Sequence, residues 1–182
     1  MANKIKKYGL VGYPLGHSFS KDFFARKFAN EGIDAEYVNF EIDNISRISE
    51  VLAAGVDGLN VTIPYKQQIM PYLDRIDPAA QRIGAVNVVK IERTDDGKVS
   101  TCGYNSDIVG FTESIRPMLD SRHRRALILG TGGASKAVRC GLEDLGLEST
   151  YVSRRADNGV LTYADLTEEV FKQYQVIVNT TP

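Results

Sequence analysis

Three short segments place polar and ionisable residues where strands are predicted to end. The first is Asn60-Val-Thr-Ile-Pro-Tyr-Lys66, in which an amide, a hydroxyl and an ammonium group surround apolar strand residues and a proline. The others are Gly84-Ala-Val-Asn87 and Gly103-Tyr-Asn-Ser-Asp107. Together they offer a Lys/Asp pair among small amide and hydroxyl groups. Such a set suits a polyhydroxylated ligand and proton transfer at one of its hydroxyls.

A glycine-rich turn lies downstream, in Leu127-Ile-Leu-Gly-Thr-Gly-Gly-Ala-Ser135. It follows an apolar strand pattern and precedes a helical one, as a dinucleotide fingerprint does. Gly130 would permit the tight turn, and Gly132 would let a pyrophosphate approach the backbone, where N–H groups and the helix dipole bind anions. The alternative is a glycine turn without a ligand. The predicted cofactor contacts here are Gly130, Thr131, Gly132, Gly133 and Ala134.

The end of the next predicted strand indicates which dinucleotide would bind. An NAD site has an acidic residue there for the ribose hydroxyl, whereas an NADP site has a cation for the 2′-phosphate. The strand ends at Ser153-Arg154-Arg155, and no acid occurs before Asp157. These three residues therefore predict NADP as the cofactor. The alternative is two arginines in a solvated surface turn.

The composition limits the possible partners and compartments. The chain has 182 residues, 43% of them hydrophobic and 25% charged, which suits one large or two small globular domains. A net charge of −1 gives no electrostatic reason to expect nucleic acid or an anionic membrane as partner. No apolar run approaches the ~18 residues of a transmembrane helix, and none resembles a signal peptide, so the cytoplasm is the expected compartment.

The cysteines and histidines give no pattern for a metal centre. Cys102 and Cys140 lack metal-ligand spacing and are expected to be reduced thiols. His17 and His123 have no partners at suitable spacing, and His17 is interpreted as a loop-packing residue. We therefore predict no metal site.

Strand and helix patterns alternate in the first part of the chain, which favours a parallel sheet with crossover helices. Ser20 is the predicted N-cap of the first helix and Gly32 its end. Asp95-Asp-Gly97 predicts a hairpin turn. The predicted strands are residues 8–12, 35–42, 58–63, 86–93 and 98–102.

A second unit is predicted to start near Arg125. Its three predicted strands amount to one half of a dinucleotide-binding fold, with a helix after the glycine turn and a short helix within 163–174. The domain boundary is placed in a helix at Ser106–Leu119, so that residues 1–107 form a catalytic domain and residues 108–182 a nucleotide-binding half. The strands are residues 126–129, 150–153 and 175–179.

The chain resembles the shikimate dehydrogenases, NADP-dependent oxidoreductases of aromatic amino-acid biosynthesis. The resemblance implies an α/β fold, with a mainly parallel sheet in an N-terminal substrate domain and an incomplete Rossmann-type NADP-binding domain after it. It implies reversible NADP-linked reduction of 3-dehydroshikimate to shikimate, without a metal. It rests on five segments in the family's order: Gly12 to Ser20, Asn60 to Lys66, Gly84 to Asn87, Asn105 to Asp107, and Gly130 to Ser135.

The resemblance also implies a role for each matching residue. Lys66 and Asp107 match the catalytic pair and also contact substrate, and the position of the shared proton stays open. Ser18 and Ser20 match hydroxyls that bind the substrate carboxylate. Arg154 matches the family's usual Asn-Arg-Thr, from which its two neighbours depart. The positions that match ligands of the ring hydroxyls are Asn60, Thr62 and Asn87.

Relative to the family, the segment that follows the nucleotide half is absent, so the 182 residues are expected to be a truncated and inactive form. The apolar strand Val176-Ile-Val178 would then be an exposed edge. One alternative is a quinate/shikimate dehydrogenase with relaxed use of NAD and NADP. Another is a relative that binds ligand without turnover. The oligomeric state stays open.

Overall fold

The chain forms two compact units. The computed structural model describes residues 5–16, 18–94 and 97–181, so the predictions for His17 and for the turn at Asp95-Asp96 fall outside the described residues. The first unit consists of Met1–Gln81 and Ala85–Asn105, and the second of Arg82–Gly84 and Ser106–Pro182.

The first unit is built on one six-stranded sheet with the order β2-β1-β3-β5-β6-β4. β1 lies between β2 and β3 and is parallel to both, whereas β5 is antiparallel to β3 and to β6. The predicted hairpin is therefore β5–β6. The strands are β1 Lys6–Gly12, β2 Ala35–Glu41, β3 Gly58–Val61, β4 Arg75–Ile76, β5 Val88–Arg93 and β6 Val99–Tyr104.

Helices connect these strands. Gly32 ends α1 in the left-handed region with φ of 63°, as predicted. The prediction of Ser20 as N-cap is wrong: Phe19 holds that position and no side chain caps the helix. The Ser20 side chain instead lies near the hydroxyl of Tyr37, a residue of β2. The helices are α1 Ser20–Glu31, α2 Ile48–Ala53 and α3 Pro78–Ile83.

Each face of this sheet carries its own apolar cluster, because successive side chains of a strand point to opposite faces. On the α1 face, Leu10, Leu15 and Tyr37 are buried together, with Phe24 and Phe28 of α1 packed against them. The opposite face carries the larger cluster, whose strand members include Val11, Leu59, Val61, Val89 and Ile91. Burial on both faces fixes the register of β1 and β3 and hence the places where they end.

The second unit is a parallel four-stranded sheet with the order β10-β7-β8-β9. β9 was not predicted, because a three-residue Val-Leu-Thr segment carries no periodic signal. The described part of the sheet therefore holds four strands in place of the three predicted. The last strand along the chain, β10, lies on the side of β7 opposite to β8. The strands are β7 Arg125–Leu129, β8 Glu148–Ser153, β9 Val160–Thr162 and β10 Val176–Asn179.

Three helices accompany the second sheet. Phe111 and Ile115 of α4 and Val138 and Leu142 of α5 pack in the cluster around Ile128. The helix predicted at Ser106–Leu119 is α4, which begins at Asp107 and ends at Ile115, and a 3-10 turn at Arg116–Met118 follows it. None of the helices in the described part of the chain is long and apolar enough to cross a membrane. The helices are α4 Asp107–Ile115, α5 Gly133–Asp144 and α6 Glu168–Phe171.

Candidate active site

The predicted substrate residues of the first unit follow the carboxyl ends of β1 and β3. The two strands run in parallel with Val11 opposite Val61. Past them, the backbone N–H of Thr62 donates to the Val11 carbonyl over 2.9 Å, and that of Tyr13 donates to Ile63 over 3.0 Å. The loop that carries Ser18 and the segment from Thr62 to Lys66 therefore leave the sheet side by side.

Thr62 can lie at this edge because Gly12, beside it at the end of β1, has no side chain. A Cβ atom on Gly12 would stand 2.5 Å from Thr62 Cγ2, well inside van der Waals contact. The glycine thus allows a half-buried threonine beside the end of β1. This close approach brings the Gly12 segment beside the Asn60 segment.

The backbone at Lys66 is fixed from both sides. The preceding side chain, Tyr65, is buried and donates its hydroxyl to the Ile42 carbonyl over 2.6 Å. The Lys66 carbonyl accepts a hydrogen bond from the N–H of Val86 over 2.7 Å. Lys66 itself is half-buried. A lysine with a fixed Cα and partial access to solvent suits a group that exchanges protons with a bound ligand.

Asn87 is buried and lies between the ends of two strands. Its N–H donates to the Tyr104 carbonyl over 3.0 Å, and its carbonyl accepts from Val61 over 2.9 Å. Asn60 pairs in register with Val88, the residue after Asn87. The fold thus brings Asn60, Thr62 and the Lys66 backbone to the edge where Asn87 also lies.

Tyr37 belongs to this group of residues, although the sequence reasoning missed it. Its hydroxyl donates to Asn60 Oδ1 over 2.8 Å and has the Ser20 side chain nearby. The ring is stacked on Phe24 with 4.5 Å between centroids and is only 6% exposed. Burial raises the pKa of Tyr37 to about 12, against a smaller lowering by the Ser20 hydrogen bond. The available signal was that a buried tyrosine needs a partner for its hydroxyl.

Ser18 has the feature expected of a ligand-binding hydroxyl. Its Oγ is buried and has no hydrogen-bond partner in the described part of the chain. Buried polar atoms are usually paired, so one that is not calls for an explanation such as an exogenous ligand or water. This observation supports the predicted role of Ser18, which remains a prediction.

Asp107 occupies the first turn of α4 and is half-buried. It belongs to the second unit, whereas Lys66 belongs to the first. The pairing of Asp107 with Lys66 therefore stays a prediction from the sequence.

The glycine-rich turn has the conformation that the fingerprint requires. Gly130 has φ of 109°, in the region that favours glycine, and its N–H donates to the Val152 carbonyl over 2.9 Å. Gly132 is the N-cap of α5 and no side chain caps the helix. A Cβ on Gly132 would meet nothing within 4 Å, so the space beside it is open. Ser135 closes the turn by donating to the Gly132 carbonyl over 2.6 Å. An open approach to uncapped N–H groups fits a phosphate.

The turn after β8 presents two cations. Arg154 and Arg155 are exposed, and neither guanidinium has an ion-pair partner among the described residues. Ser153 Oγ accepts from the Arg155 N–H over 3.3 Å, which shapes the turn. The three predicted contacts therefore lie at one strand end of the same sheet as the glycine turn.

The strand order places a topological switch point beside that turn. β8 lies on one side of β7 and β10 on the other, and ligands of open α/β sheets bind in the crevice outside such a pair of strand ends. Thr180 follows β10 and donates both its N–H and its hydroxyl to the Leu129 carbonyl, over 2.9 and 2.7 Å. Asn179 Oδ1 accepts from the N–H and hydroxyl of Thr181. The predicted set did not contain these residues.

Comparisons with known proteins agree with this arrangement. A family model described as the shikimate dehydrogenase substrate binding domain matches residues 10–89. The shikimate dehydrogenase (NADP(+)) of Aquifex aeolicus is 37% identical over 96% of this chain and 67% of its own length. The chain belongs to the shikimate dehydrogenase family. A second relative, from Bacillus cytotoxicus, is 40% identical over 81% of this chain and 53% of its own length. The chain thus spans between about half and two thirds of these relatives.

Solved structures of the shikimate dehydrogenase family have the same fold. The Aquifex aeolicus enzyme matches with a TM-score of 0.82 and 34% identity over all of this chain and 71% of its own. The Thermus thermophilus enzyme was solved in complex with NADP(H) and shikimate. It matches with a TM-score of 0.77 and 28% identity over 97% of this chain and 68% of its own. A quinate dehydrogenase from Corynebacterium glutamicum, solved in complex with NAD, matches with a TM-score of 0.80 and 25% identity over 97% of this chain and 71% of its own. The predicted fold class is confirmed.

Proposed function

We propose that the protein containing this chain catalyses the reversible NADP-linked reduction of 3-dehydroshikimate to shikimate. The observation that carries the proposal is the group of Asn60, Thr62, Lys66 and Asn87 at one sheet edge, together with a buried Ser18 Oγ that has no partner among the described residues. Amides, hydroxyls and one ammonium are the groups that recognise a hydroxylated ring with a carboxylate. Relatives over 96% of the chain bear the same activity in their names.

Each group has a distinct task in this proposal. Ser18 and Ser20 bind the carboxylate, while Asn60, Thr62 and Asn87 bind ring hydroxyls. An analogue without one of these hydroxyls would leave a buried polar group unpaired, which gives strong discrimination. Lys66 stands at the hydroxyl that is oxidised and takes up its proton, or returns it in the reductive direction, together with Asp107. The proton belongs to the pair as a unit.

The second unit would hold NADP. The uncapped start of α5 and the open space beside Gly132 suit the pyrophosphate, and Arg154 and Arg155 suit the 2′-phosphate. When bound, the nicotinamide accepts or supplies the hydride. The protein's contribution is to hold the substrate carbon and the ring at reacting distance.

We further propose that these 182 residues alone bind ligand without turnover, since about a third of each matched structure has no counterpart in them. A cytoplasmic location is part of the proposal and is supported by two free, buried thiols, Cys102 and Cys140.

A second candidate is a quinate dehydrogenase that uses NAD. The match to the Corynebacterium glutamicum structure favours it. The two exposed arginines at the end of β8, without an acidic residue before Asp157, favour a 2′-phosphate and hence the first candidate.

Calorimetric titration of the chain with shikimate, quinate, NADP+ and NAD+ separates these functions. The proposal expects shikimate to bind more tightly than quinate, and NADP+ more tightly than NAD+. The same assay on a protein of the relatives' length should show NADPH formation at 340 nm with shikimate. Tighter binding of quinate and NAD+ would establish the second candidate instead. Absence of binding by all four compounds would refute both.

A further inference from the structure

The phenol of Tyr37 links residues from three parts of the first unit. Tyr37 lies on β2 and pairs in register with Tyr8 on β1, while Asn60 lies on β3, beyond β1. The hydroxyl nevertheless reaches Asn60 Oδ1 at 2.8 Å, so the ring passes across β1. The side chain of Ser20, the first residue of α1, lies near the same hydroxyl. Two predicted substrate ligands, Ser20 and Asn60, thus both lie at one buried side chain.

The number of protons in this chain of hydrogen bonds fixes its direction. A phenol has one proton, and Tyr37 donates it to Asn60 Oδ1. Any hydrogen bond between Ser20 and the phenol must then be donated by Ser20. The side-chain oxygen of Asn60 accepts this hydrogen bond, so the Nδ2 group is the part of the amide that remains available to a ligand. Nδ2 carries two donors and bonds no other described residue. Asn60 is half-buried, so this group retains access to the site.

We propose that Tyr37 is a positioning residue that holds the Asn60 amide with its Nδ2 donors toward the ligand, so that Asn60 recognises an oxygen acceptor of a ring hydroxyl or carbonyl. The inference rests on the proposed function. Without Tyr37, the amide is free to turn over and present its oxygen instead. The apolar surroundings of the phenol, Leu10, Leu15 and Phe24, exclude water that would compete for Oδ1.

The packing indicates that Tyr37 can be changed without loss of the fold. The ring keeps its stacking on Phe24 when Tyr37→Phe removes the hydroxyl alone. Tyr8→Phe is the matched control, because Tyr8 is the register neighbour of Tyr37, packs against the same apolar cluster and makes no hydrogen bond through its hydroxyl to the described residues. The two variants differ in the contact with Asn60.

The test is a double-mutant cycle on shikimate binding to this chain, measured by calorimetry. Tyr37→Phe should raise Kd about five- to tenfold, the scale of one neutral hydrogen bond. Asn60→Ala should raise it further, and Tyr37→Phe should add less than twofold to Asn60→Ala. Tyr8→Phe should leave Kd unchanged. If the effects of Tyr37→Phe and Asn60→Ala on Kd multiply in the double variant, Tyr37 does not act through Asn60. That result would overturn the proposal.

NMR provides further tests that do not rely on binding measurements with one variant or on catalytic turnover. In the unliganded chain, Tyr37→Phe should shift the side-chain amide resonances of Asn60, and Tyr8→Phe should not. In the unsubstituted chain, shikimate should shift the Asn60 amide resonances more strongly than the Tyr37 Cζ resonance. A large Tyr37 shift with an unchanged Asn60 amide would show that the phenol itself contacts ligand and would refute the assignment. If shikimate does not bind at all, the proposed function fails, and the unliganded comparison still decides the role of Tyr37.

Discussion

The side chain of Thr180 occupies the space that a side chain on Gly130 would need. Thr180 Oγ1 lies 2.8 Å from the position of a Cβ on Gly130, and it is held there by its hydrogen bond to the Leu129 carbonyl. Gly130 follows β7 and Thr180 follows β10, so the contact joins the two strand ends that border the switch point. Within the same fingerprint, Gly132 has open space. The two glycines therefore serve different purposes.

Gly130→Ala should destabilise the second unit, whereas Gly132→Ala should not. The first change forces an alanine to φ of 109° and into Thr180, which costs about 1–3 kcal/mol for the backbone alone. Gly132 has φ of −78°, which alanine adopts readily, but its added methyl would stand where the pyrophosphate is predicted to approach. Urea unfolding and NADP+ titration separate the effects. Equal unfolding midpoints for Gly130→Ala and the unsubstituted chain would contradict this account.

Lys66→Met should remove the proton-transfer step and leave the fold intact. In a protein of the relatives' length, we expect kcat for shikimate oxidation to fall at least ~10²-fold, the usual scale for a general acid or base. The Kd of NADP+ should change little. Gln67→Met is a matched control, since it alters the adjacent, exposed residue of the same turn. A near-normal kcat in Lys66→Met would exclude this lysine from the chemistry.

Arg154→Ala should weaken the preference for NADP+ over NAD+. A hydrogen bond to a charged group contributes about 1.5–3 kcal/mol, so the Kd of NADP+ should rise roughly 10- to 150-fold while that of NAD+ stays nearly constant. The matched control is Arg155→Ala, since both side chains are exposed at the end of β8. Because the Arg155 backbone is held by Ser153 and its position departs from the family pattern, we expect a smaller effect there. An unchanged ratio of the two Kd values in Arg154→Ala would rule out its contact with the 2′-phosphate.

The local patterns of the sequence predicted most of the fold, but not the contacts between distant residues. Gly32 and the glycine turn after β7 were predictable because their backbone requirements lie within a few residues. The role of Tyr37 was not predictable, since its hydrogen-bond partner Asn60 is 23 positions away. Ser20 was assigned to a local cap, but the structure gives the cap position to Phe19 and places the Ser20 side chain near Tyr37 of another element. A strand as short as β9 takes its place from pairing with β8, which no periodicity reveals.

Ser18→Ala should weaken carboxylate binding more than Ser20→Ala. In the unliganded site the Ser20 hydroxyl has the phenol oxygen of Tyr37 nearby as an acceptor, because the phenol gives its own proton to Asn60. A carboxylate therefore competes with the phenol oxygen for the Ser20 proton, and we expect the net gain from Ser20 to be small. Ser18 Oγ is buried without a partner in the described residues, so its proton is available and an incoming carboxylate relieves an unpaired group.

A charge-assisted hydrogen bond of this kind contributes about 1.5–3 kcal/mol, so Ser18→Ala should raise the Kd of shikimate at least ~10-fold. For Ser20→Ala we expect less than about fivefold, near the scale of one neutral hydrogen bond. Calorimetry on the two variants measures the difference. The methyl ester of shikimate lacks the negative charge but keeps a carbonyl acceptor, so Ser18→Ala should raise its Kd less than it raises the Kd of shikimate. If Ser20→Ala had the larger effect on shikimate, the direction of the hydrogen bonds through Tyr37 would have to be reversed, with the Asn60 oxygen toward the ligand.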